Sequence, residues 1–171
     1  MTSALLEYSR ASQSDNPVSR DVSDLSATVR SNTQILSFVL PSTVNLSVEV
    51  PDREVLVPVS EVDLKTVILN LGINARDAMP HGGRLDVSIS EDDSDETPMI
   101  LRVQDSGAGI PANLHEMIFE PFFTTKPVGT GTGLGLSSVH GIVTAAGGSV
   151  GVQSEPGAGS EFTVRLPRAT R

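Results

Sequence analysis

Cysteine is absent from the 171 residues of this sequence. Its absence excludes disulfide bonds, thiolate metal sites and cysteine nucleophiles. Basic residues are scarce as well, since 12 lysines and arginines stand against 21 aspartates and glutamates, for a formal net charge of -9. A chain of this charge repels a phosphate backbone, so we expect no nucleic acid partner. Any polyanion that binds must be held by specific local groups.

Long apolar runs are absent too. No stretch approaches the roughly 18 residues that cross a bilayer, and residues 1–10 lack the basic and then apolar pattern of a signal peptide. With 38% apolar and 19% charged residues, the composition is that of one globular domain with a single core. We expect a cytoplasmic domain without membrane contact.

The apolar residues that are present recur with two periods. Helical spacing predicts three helices, at 21–40, 60–79 and 134–146, with Ser60 as the N-cap of the second. Extended apolar patterns predict strands at 44–50, 54–59, 84–90, 99–104, 149–153 and 161–166.

The connections between these strands set the fold class. We expect 44–50 and 54–59 to form a hairpin around Pro51 and Asp52, and the acidic stretch 91–96 to be a solvated hairpin loop without function. Helices and hairpin strands then mix along the chain. The prediction is an α+β fold, a two-layer α/β sandwich with a mixed, mostly antiparallel sheet covered on one face by helices.

One polar stripe lies on the predicted helix 60–79. Because a helix turns by about 100° per residue, Asn70, Asn74 and Asp77 fall close together, beside the apolar face. Amide and carboxylate oxygens at the margin of a core suit Mg²⁺, which takes few protein ligands beside nucleotide phosphates. The alternative is an ordinary polar helix edge.

A second cluster, DSGAGI (105–110), directly follows the predicted strand 99–104. The carboxylate of Asp105 could accept a hydrogen bond from an exocyclic amine such as that of adenine. Gly107 and Gly109 would let the backbone approach a flat ring. The alternative is a simple turn.

A third cluster, GTGTGLGL (129–136), runs straight into the predicted helix 134–146. A helix N-terminus offers unpaired N–H groups and a positive dipole end to phosphate oxygens, and the glycines suit a mobile lid. Lys126 could reach a terminal phosphate, although a solvated lysine is the alternative. The chain has no GxxxxGK[ST] loop, and no buried strand precedes the glycines as a dinucleotide-binding site would require.

Together the clusters resemble the GHKL superfamily and, within it, the catalytic ATP-binding domain of sensor histidine kinases. The resemblance covers most of residues 18–167, and NARDAM and FEPFFTTK are most similar to the nitrogen-regulation and hybrid-kinase branch. The motifs that carry it are LNLGINARDAMPHGG (69–83) as the N-box, DSGAGI as the first glycine box, FEPFFTTK (119–126) as the F-box, GTGTGLGL as the second glycine box and PGAGSEFTVRLP (156–167) as the closing strand region.

The resemblance implies a Bergerat fold that holds ATP and Mg²⁺ between the sheet, its helices and a flexible lid. Asn74 would coordinate Mg²⁺, with Asn70 and Asp77 supporting the phosphates or the metal's waters. Asp105 would bind the adenine amine, and Thr163 would help near adenine. The other implied ATP-binding residues are Gly107, Gly109 and Ile110 in the base pocket, Thr124, Thr125 and Lys126 at the lid, and Gly131, Gly133, Leu134, Gly135 and Leu136 at the phosphates or the closing lid.

Asn70 and Lys126 are the residues implied to serve catalysis. In ATP-hydrolysing relatives such as DNA gyrase, a glutamate four residues before the magnesium asparagine activates water. Here that position is Asn70, and an amide cannot take a proton from water. The resemblance therefore implies phosphoryl transfer rather than hydrolysis.

The acceptor histidine of such kinases is missing. None of His81, His115 and His140 stands in the acceptor pattern of His, Glu or Asp, apolar, Arg or Asn, x, Pro. LLEYSRAS (5–12) resembles the end of a dimerisation helix, so we expect a piece of a longer kinase, cut after that histidine. The expected parts are a helix tail and linker at 1–16, the catalytic domain at 17–168 and a C-terminal tail at 169–171.

The implied partners are the dimerisation and histidine phosphoacceptor domain of the parent kinase and the receiver domain of a response regulator. Two alternatives stay open. One is a nucleotide-sensing or response-regulator-docking module without catalysis. The other is an anti-sigma-type serine kinase, which shares the fold and a similar length.

Overall fold

The computed structural model describes residues 21–91, 98–127 and 131–170. The predicted helix tail and linker at 1–16, nearly all of the acidic loop and the first glycine of the third cluster lie outside these ranges. Within them the chain forms three α-helices and seven strands. The helices are α1 (Leu25–Val39), α2 (Glu61–Ala78) and α3 (Gly135–Ala145), and the strands are β1 (Ser23–Asp24), β2 (Val44–Glu49), β3 (Leu56–Val57), β4 (Gly83–Glu91), β5 (Met99–Asp105), β6 (Ser149–Glu155) and β7 (Gly159–Leu166).

Five of the strands form one sheet in the order β2-β4-β5-β7-β6. β2 lies parallel to β4, whereas the pairs β4–β5, β5–β7 and β6–β7 are antiparallel. The chain connects the parallel pair through α2, as a parallel connection requires a crossover. The predicted mixed, mostly antiparallel sheet is confirmed.

The core lies between the sheet and the helices. On β4 and β5 every second side chain is buried, including Leu85, Val87, Leu101 and Val103, while Arg102 points to the other face and donates to Ser90. The buried strand residues form one cluster with apolar side chains of all three helices. This alternation gives a sheet with one helix-covered face and one polar face, as predicted.

Side-chain caps fix where the first two helices begin. The Ser60 hydroxyl accepts from the backbone N–H of Asp63 at 3.1 Å, which confirms the predicted N-cap of α2. Asp24 caps α1 through the N–H of Ser26 at 2.9 Å, and the same oxygen accepts from the N–H of Val55 at 3.0 Å. One carboxylate therefore ties the start of α1 to the segment ahead of β3.

The predicted hairpin between 44–50 and 54–59 is wrong. β2 pairs in parallel with β4, and β3 instead pairs antiparallel with β1 in a separate two-stranded ribbon, with Ser23 opposite Val57. Val57 is fully buried and Val55 nearly so, so this segment packs into the core in that ribbon instead of extending the five-stranded sheet. No helix in the described part of the chain is long and apolar enough to cross a membrane.

Candidate functional site

A cleft of about 520 Å³ opens between α2, the turn after β5, the loop before α3 and β7. Its volume lies within the usual range of small-molecule sites. Most of the residues predicted to bind a ligand line it together: Asn70, Asn74, Asp77, Asp105, Gly109, Ile110, Thr124, Thr125, Lys126, Gly131, Gly133, Gly135 and Leu136.

Asp105 ends β5 at the inner end of the cleft and is only 5% exposed. Its Oδ1 accepts from the backbone N–H of Gly107 at 2.8 Å. Burial raises the pKa of Asp105 above its ordinary value, although the backbone N–H groups of Gly107 and Ser160 counteract part of this effect. The result is a buried acceptor directed at an apolar pocket.

The turn after Asp105 requires glycine. Gly109 has a φ of +74°, and a Cβ there would lie 1.9 Å from the carbonyl oxygen of Glu155. The N–H of Gly157 donates to the carbonyl of Ala108 at 2.7 Å. A side chain at position 109 would push apart the turn and the β6–β7 connection, so glycine is needed for close backbone approach.

The floor of the cleft beside this turn is apolar. Ile110, Leu114, Ile118 and Phe162 line it, and the His115 ring nitrogen Nε2 lies 3.0 Å from the carbonyl oxygen of Ile110. An apolar slot with one buried carboxylate at its end can hold a flat ring that carries a hydrogen-bond donor.

The amide stripe of α2 forms one wall of the cleft. The side-chain nitrogen Nδ2 of Asn74 is buried and has no hydrogen-bond partner within the described residues. Asn74 lines the cleft, and its unpaired Nδ2 is a hydrogen-bond donor, whereas a metal ligand from this amide would be the oxygen Oδ1. Across the wall, a Cβ on Gly135 would lie 3.3 Å from the side-chain oxygen of Asn70, which sets the first turn of α3 directly against the stripe.

The N-terminus of α3 has no side-chain cap. Leu134 occupies the N-cap position without a side-chain hydrogen bond to the helix. The first N–H groups of an uncapped helix are available to an anion in the cleft. Gly133 (φ +66°) brings its carbonyl oxygen 2.9 Å from the N–H of Phe122, which joins the loop before α3 to the segment that carries Lys126.

Charged groups lie at the mouth of the cleft. Asp77 forms ion pairs with Lys126 and, at 2.8 Å, with Arg76. Burial raises the pKa of Asp77, but hydrogen bonds and positive charge from Lys126 and Arg76 outweigh it and leave the pKa below its ordinary value. The described residues contain no group of three or more His, Cys, Asp or Glu side chains that could hold a metal, so a metal here would rely on amide, phosphate and water oxygens.

Three predicted residues do not line the cleft. Gly107 packs behind it, where a Cβ would lie 2.5 Å from the carbonyl oxygen of Ala78. Leu134 is 42% exposed at the N-cap of α3. Thr163 lies on the opposite face of β7, where its hydroxyl reaches Glu161 at 3.5 Å.

Thr163 therefore does not line the cleft, and its role near adenine stays a prediction. Side chains alternate along a strand, so Ser160 and Phe162, which line the cleft, are out of phase with Thr163. Several cleft residues were not predicted, among them Leu114, Ile118, Phe162 and, at the end of the slot beside Asp105, Ser160. The signal was available, because Ser160 has the same phase as the apolar residues Phe162, Val164 and Leu166.

Comparisons with known proteins agree with this arrangement. Residues 59–170 match the family described as histidine kinase-, DNA gyrase B- and HSP90-like ATPase. The chain is 39% identical over 179 residues to sensor kinase CckA of Brucella abortus (strain 2308), covering 96% of this chain and 18% of that protein. The chain thus spans about a fifth of the length of that curated relative.

Two solved structures share the fold over most of the chain. Full-length ShkA in complex with AMPPNP gives a TM-score of 0.78 at 28% identity, covering 98% of this chain and 35% of that one. The mycobacterial sensor histidine kinase MprB gives a TM-score of 0.73 at 27% identity, covering 89% of this chain and 99% of that one. The chain therefore belongs to the histidine kinase-, DNA gyrase B- and HSP90-like ATPase family, as a catalytic ATP-binding domain of the sensor histidine kinase type.

Proposed function

We propose that this domain binds Mg²⁺-ATP in the cleft and donates the γ-phosphoryl group to a histidine on a separate dimerisation hairpin. One observation carries the proposal: Asn74, Asp105 and the uncapped N-terminus of α3 converge on a single cleft of about 520 Å³. The amide of Asn74 suits the metal ion, and the buried acceptor Asp105 suits the nucleobase. The N–H donors of α3 suit the phosphates of the same ligand.

The base would lie in the apolar slot. Asp105, which is buried at the end of the slot, would accept a hydrogen bond from the exocyclic amine of adenine, because an ionised carboxylate offers only acceptors. The turn at Gly109 packs closely on the carbonyl of Glu155 and so fixes the backbone beside the slot. A protein with an overall charge of -9 would then hold the triphosphate through the N–H groups of α3 and through Lys126 rather than through its general field.

The side-chain oxygens of the stripe fit Mg²⁺. Asn74 would hold the ion through its amide oxygen Oδ1, with Asn70 and Asp77 beside it. When bound, the ion would neutralise phosphate charge and orient the transferred group. The chain's own part is to present few oxygen ligands and leave the rest to phosphate and water.

Transfer rather than hydrolysis follows from Asn70. An amide cannot act as a general base toward water, and Asn70 lies against the first turn of α3. In the proposed step, a histidine nitrogen of the partner forms a bond to the γ-phosphorus while the bond to the bridging oxygen breaks and ADP leaves with the electron pair. The domain contributes binding, orientation and positive charge at the phosphates.

The remaining assignments are proposals of the same kind. We infer a catalytic unit at residues 17–168, a linker before it and a short tail after it, working in the cytoplasm where ATP is available. The partners are the phosphoacceptor domain of the parent kinase and a response regulator receiver domain. Support comes from relatives that are sensor kinases several times longer than this chain.

Transfer from radiolabelled ATP to a supplied hairpin fragment that carries the acceptor histidine tests the proposal. We expect label on the hairpin only when the hairpin, the domain and Mg²⁺ are all present, and none when the acceptor histidine is replaced by glutamine. ATP binding without any transfer would favour a nucleotide-sensing or docking module. Transfer to a serine instead would favour the anti-sigma-type activity.

A further inference from the structure

Behind the base pocket, one serine hydroxyl joins three segments. Ser154 of β6 lies opposite Ser160 of β7 in the sheet register. Its Oγ lies 2.7 Å from the backbone nitrogen of Ile110, 2.7 Å from the carbonyl oxygen of Gly159 and 2.9 Å from the Oγ of Ser160. Ser154 itself does not line the cleft, whereas Asp105, Ile110 and Ser160 do.

The direction of each hydrogen bond follows from counting protons. A serine hydroxyl has one proton to donate and two lone pairs that accept. The backbone N–H of Ile110 can only donate, and the carbonyl of Gly159 can only accept. The proton of Ser154 therefore goes to Gly159, and one lone pair is taken by Ile110. The contact with Ser160 must use the second lone pair, so Ser160 is the donor there.

This arrangement fixes what Ser160 offers to the cleft. Its only hydroxyl proton is committed to Ser154, so its remaining capacity toward a ligand is to accept. Asp105 beside it is also an acceptor, because its carboxylate already takes backbone N–H groups of Gly107 and Ser160. Both side chains at this end of the pocket therefore accept hydrogen bonds, in a region where Asp105 and Ser160 are 5% and 4% exposed.

We propose that Ser154 is a positioning residue that sets the hydrogen-bond polarity of the base pocket, so that it favours a purine with a 6-amino group over one with a 6-oxo group. An amino group has two protons to donate and matches two acceptors, whereas an oxo group would face both acceptors without a proton. The inference rests on the proposed function, in which the cleft holds the purine of ATP. It assigns to a residue outside the cleft part of the selectivity inside it.

The probe pair is ATP and inosine triphosphate, which differ in the group at position 6 of the purine and in the proton that inosine carries at N1. We would titrate both into the full chain, into Ser154→Ala and into Ser154→Thr, with thermal unfolding recorded for each protein. In Ser154→Ala the Ser160 hydroxyl is released and can turn its proton toward an oxo group. We expect the preference for ATP over inosine triphosphate to fall by about tenfold, and Ser154→Thr, which keeps the hydroxyl, to retain the original preference.

A purely structural role gives a different result. If Ser154→Ala lowers the affinity for both nucleotides by the same factor, the preference for ATP is unchanged. The inference is then wrong, while the proposed function stands. If the unchanged chain binds neither nucleotide, the proposed function itself fails and the inference with it. Should Ser154→Ala not fold, Ser160→Ala is the second variant, and it must also reduce the preference for ATP, because it removes the acceptor that Ser154 holds in place.

Discussion

Lys126 and Asp77 form an ion pair across the mouth of the cleft, 49 positions apart in the chain. The pair joins the segment ahead of α3 to the helix that carries Asn70 and Asn74. Because a lysine ammonium is a single point charge on a flexible stem, the same group can leave the carboxylate for a terminal phosphate. The contact thus holds the proposed catalytic lysine beside the phosphate end of the site.

We predict that Lys126→Met weakens ATP binding about tenfold and ADP binding much less. ADP lacks the terminal phosphate that the ammonium is proposed to contact, so the loss should depend on that phosphate. Competition titrations with both nucleotides would measure the difference. Lys65→Met is the matched control, since Lys65 also pairs with an acidic residue of α2, Glu61, but lies outside the cleft, and equal losses for ATP and ADP would contradict the role of Lys126.

Asp105 predicts a pH dependence of binding. Burial raises its pKa above the ordinary value of 3.8, and only the carboxylate accepts from an adenine amine at both oxygens. ATP affinity should therefore fall as the pH drops through this raised pKa. Because ATP itself titrates, the affinity of the unmodified chain is divided by that of Asp105→Asn at the same pH. This ratio of ATP affinities should become smaller as the pH is lowered.

The same raised pKa predicts the opposite trend for stability without ligand. A group whose pKa is higher in the folded state contributes stability that is fully present below its unfolded value and is lost as the pH rises through the folded value. Relative to Asp105→Asn, the unmodified chain should lose stability as the pH rises from below the ordinary pKa of 3.8 through the raised pKa of the folded state. Urea unfolding over this range would measure it, and a constant difference between the two proteins would contradict the burial argument.

Two glycines should respond oppositely to alanine. Gly109→Ala places a Cβ against the Glu155 carbonyl at a φ of +74°, so we expect a loss of about 2–3 kcal/mol in the free energy of unfolding. Gly141 is exposed within α3 and has open space around its Cα. Gly141→Ala should be neutral or stabilise by up to about 1 kcal/mol. Denaturant unfolding of both variants tests the close approach of the turn.

Substitutions on the two faces of β7 should have different effects on ATP affinity. Ser160→Ala removes a hydroxyl at the nucleobase pocket and should weaken ATP binding about tenfold. Thr163→Val alters a side chain on the polar face of the sheet and should leave ATP affinity within about twofold of the original value. Calorimetric titration of both variants would decide, and a large effect of Thr163→Val would restore the residue to the site.

Most of the residues that the sequence predicts for the site line one cleft, because the predicted chemistry needs particular residue types at fixed spacings. Helix geometry alone places Asn70, Asn74 and Asp77 in one stripe. Asp105 is predicted from its position at the end of a strand. Thr163 is the predicted residue of β7 that does not line the cleft, since a shift of one residue turns a strand side chain to the other face.

Strand partners were harder to predict than strands. The pattern of 54–59 indicates a half-buried extended segment, but β3 pairs with β1 and not with β2. Alternation specifies which side of a strand is buried and not which neighbour pairs with it. The Lys126–Asp77 pair and the Ser154 contacts were unpredictable for a related reason, because they join side chains far apart in the chain or behind the pocket.

The most direct test is calorimetric titration of the chain with a non-hydrolysable ATP analogue, with and without Mg²⁺, beside Asn74→Ala and the exposed control Asn45→Ala on β2. We predict binding that Mg²⁺ strengthens in the unmodified chain and in Asn45→Ala, and that Asn74→Ala loses this dependence on the ion. No binding to the unmodified chain, or the same response to Mg²⁺ in Asn74→Ala, would contradict the proposed ATP and metal site.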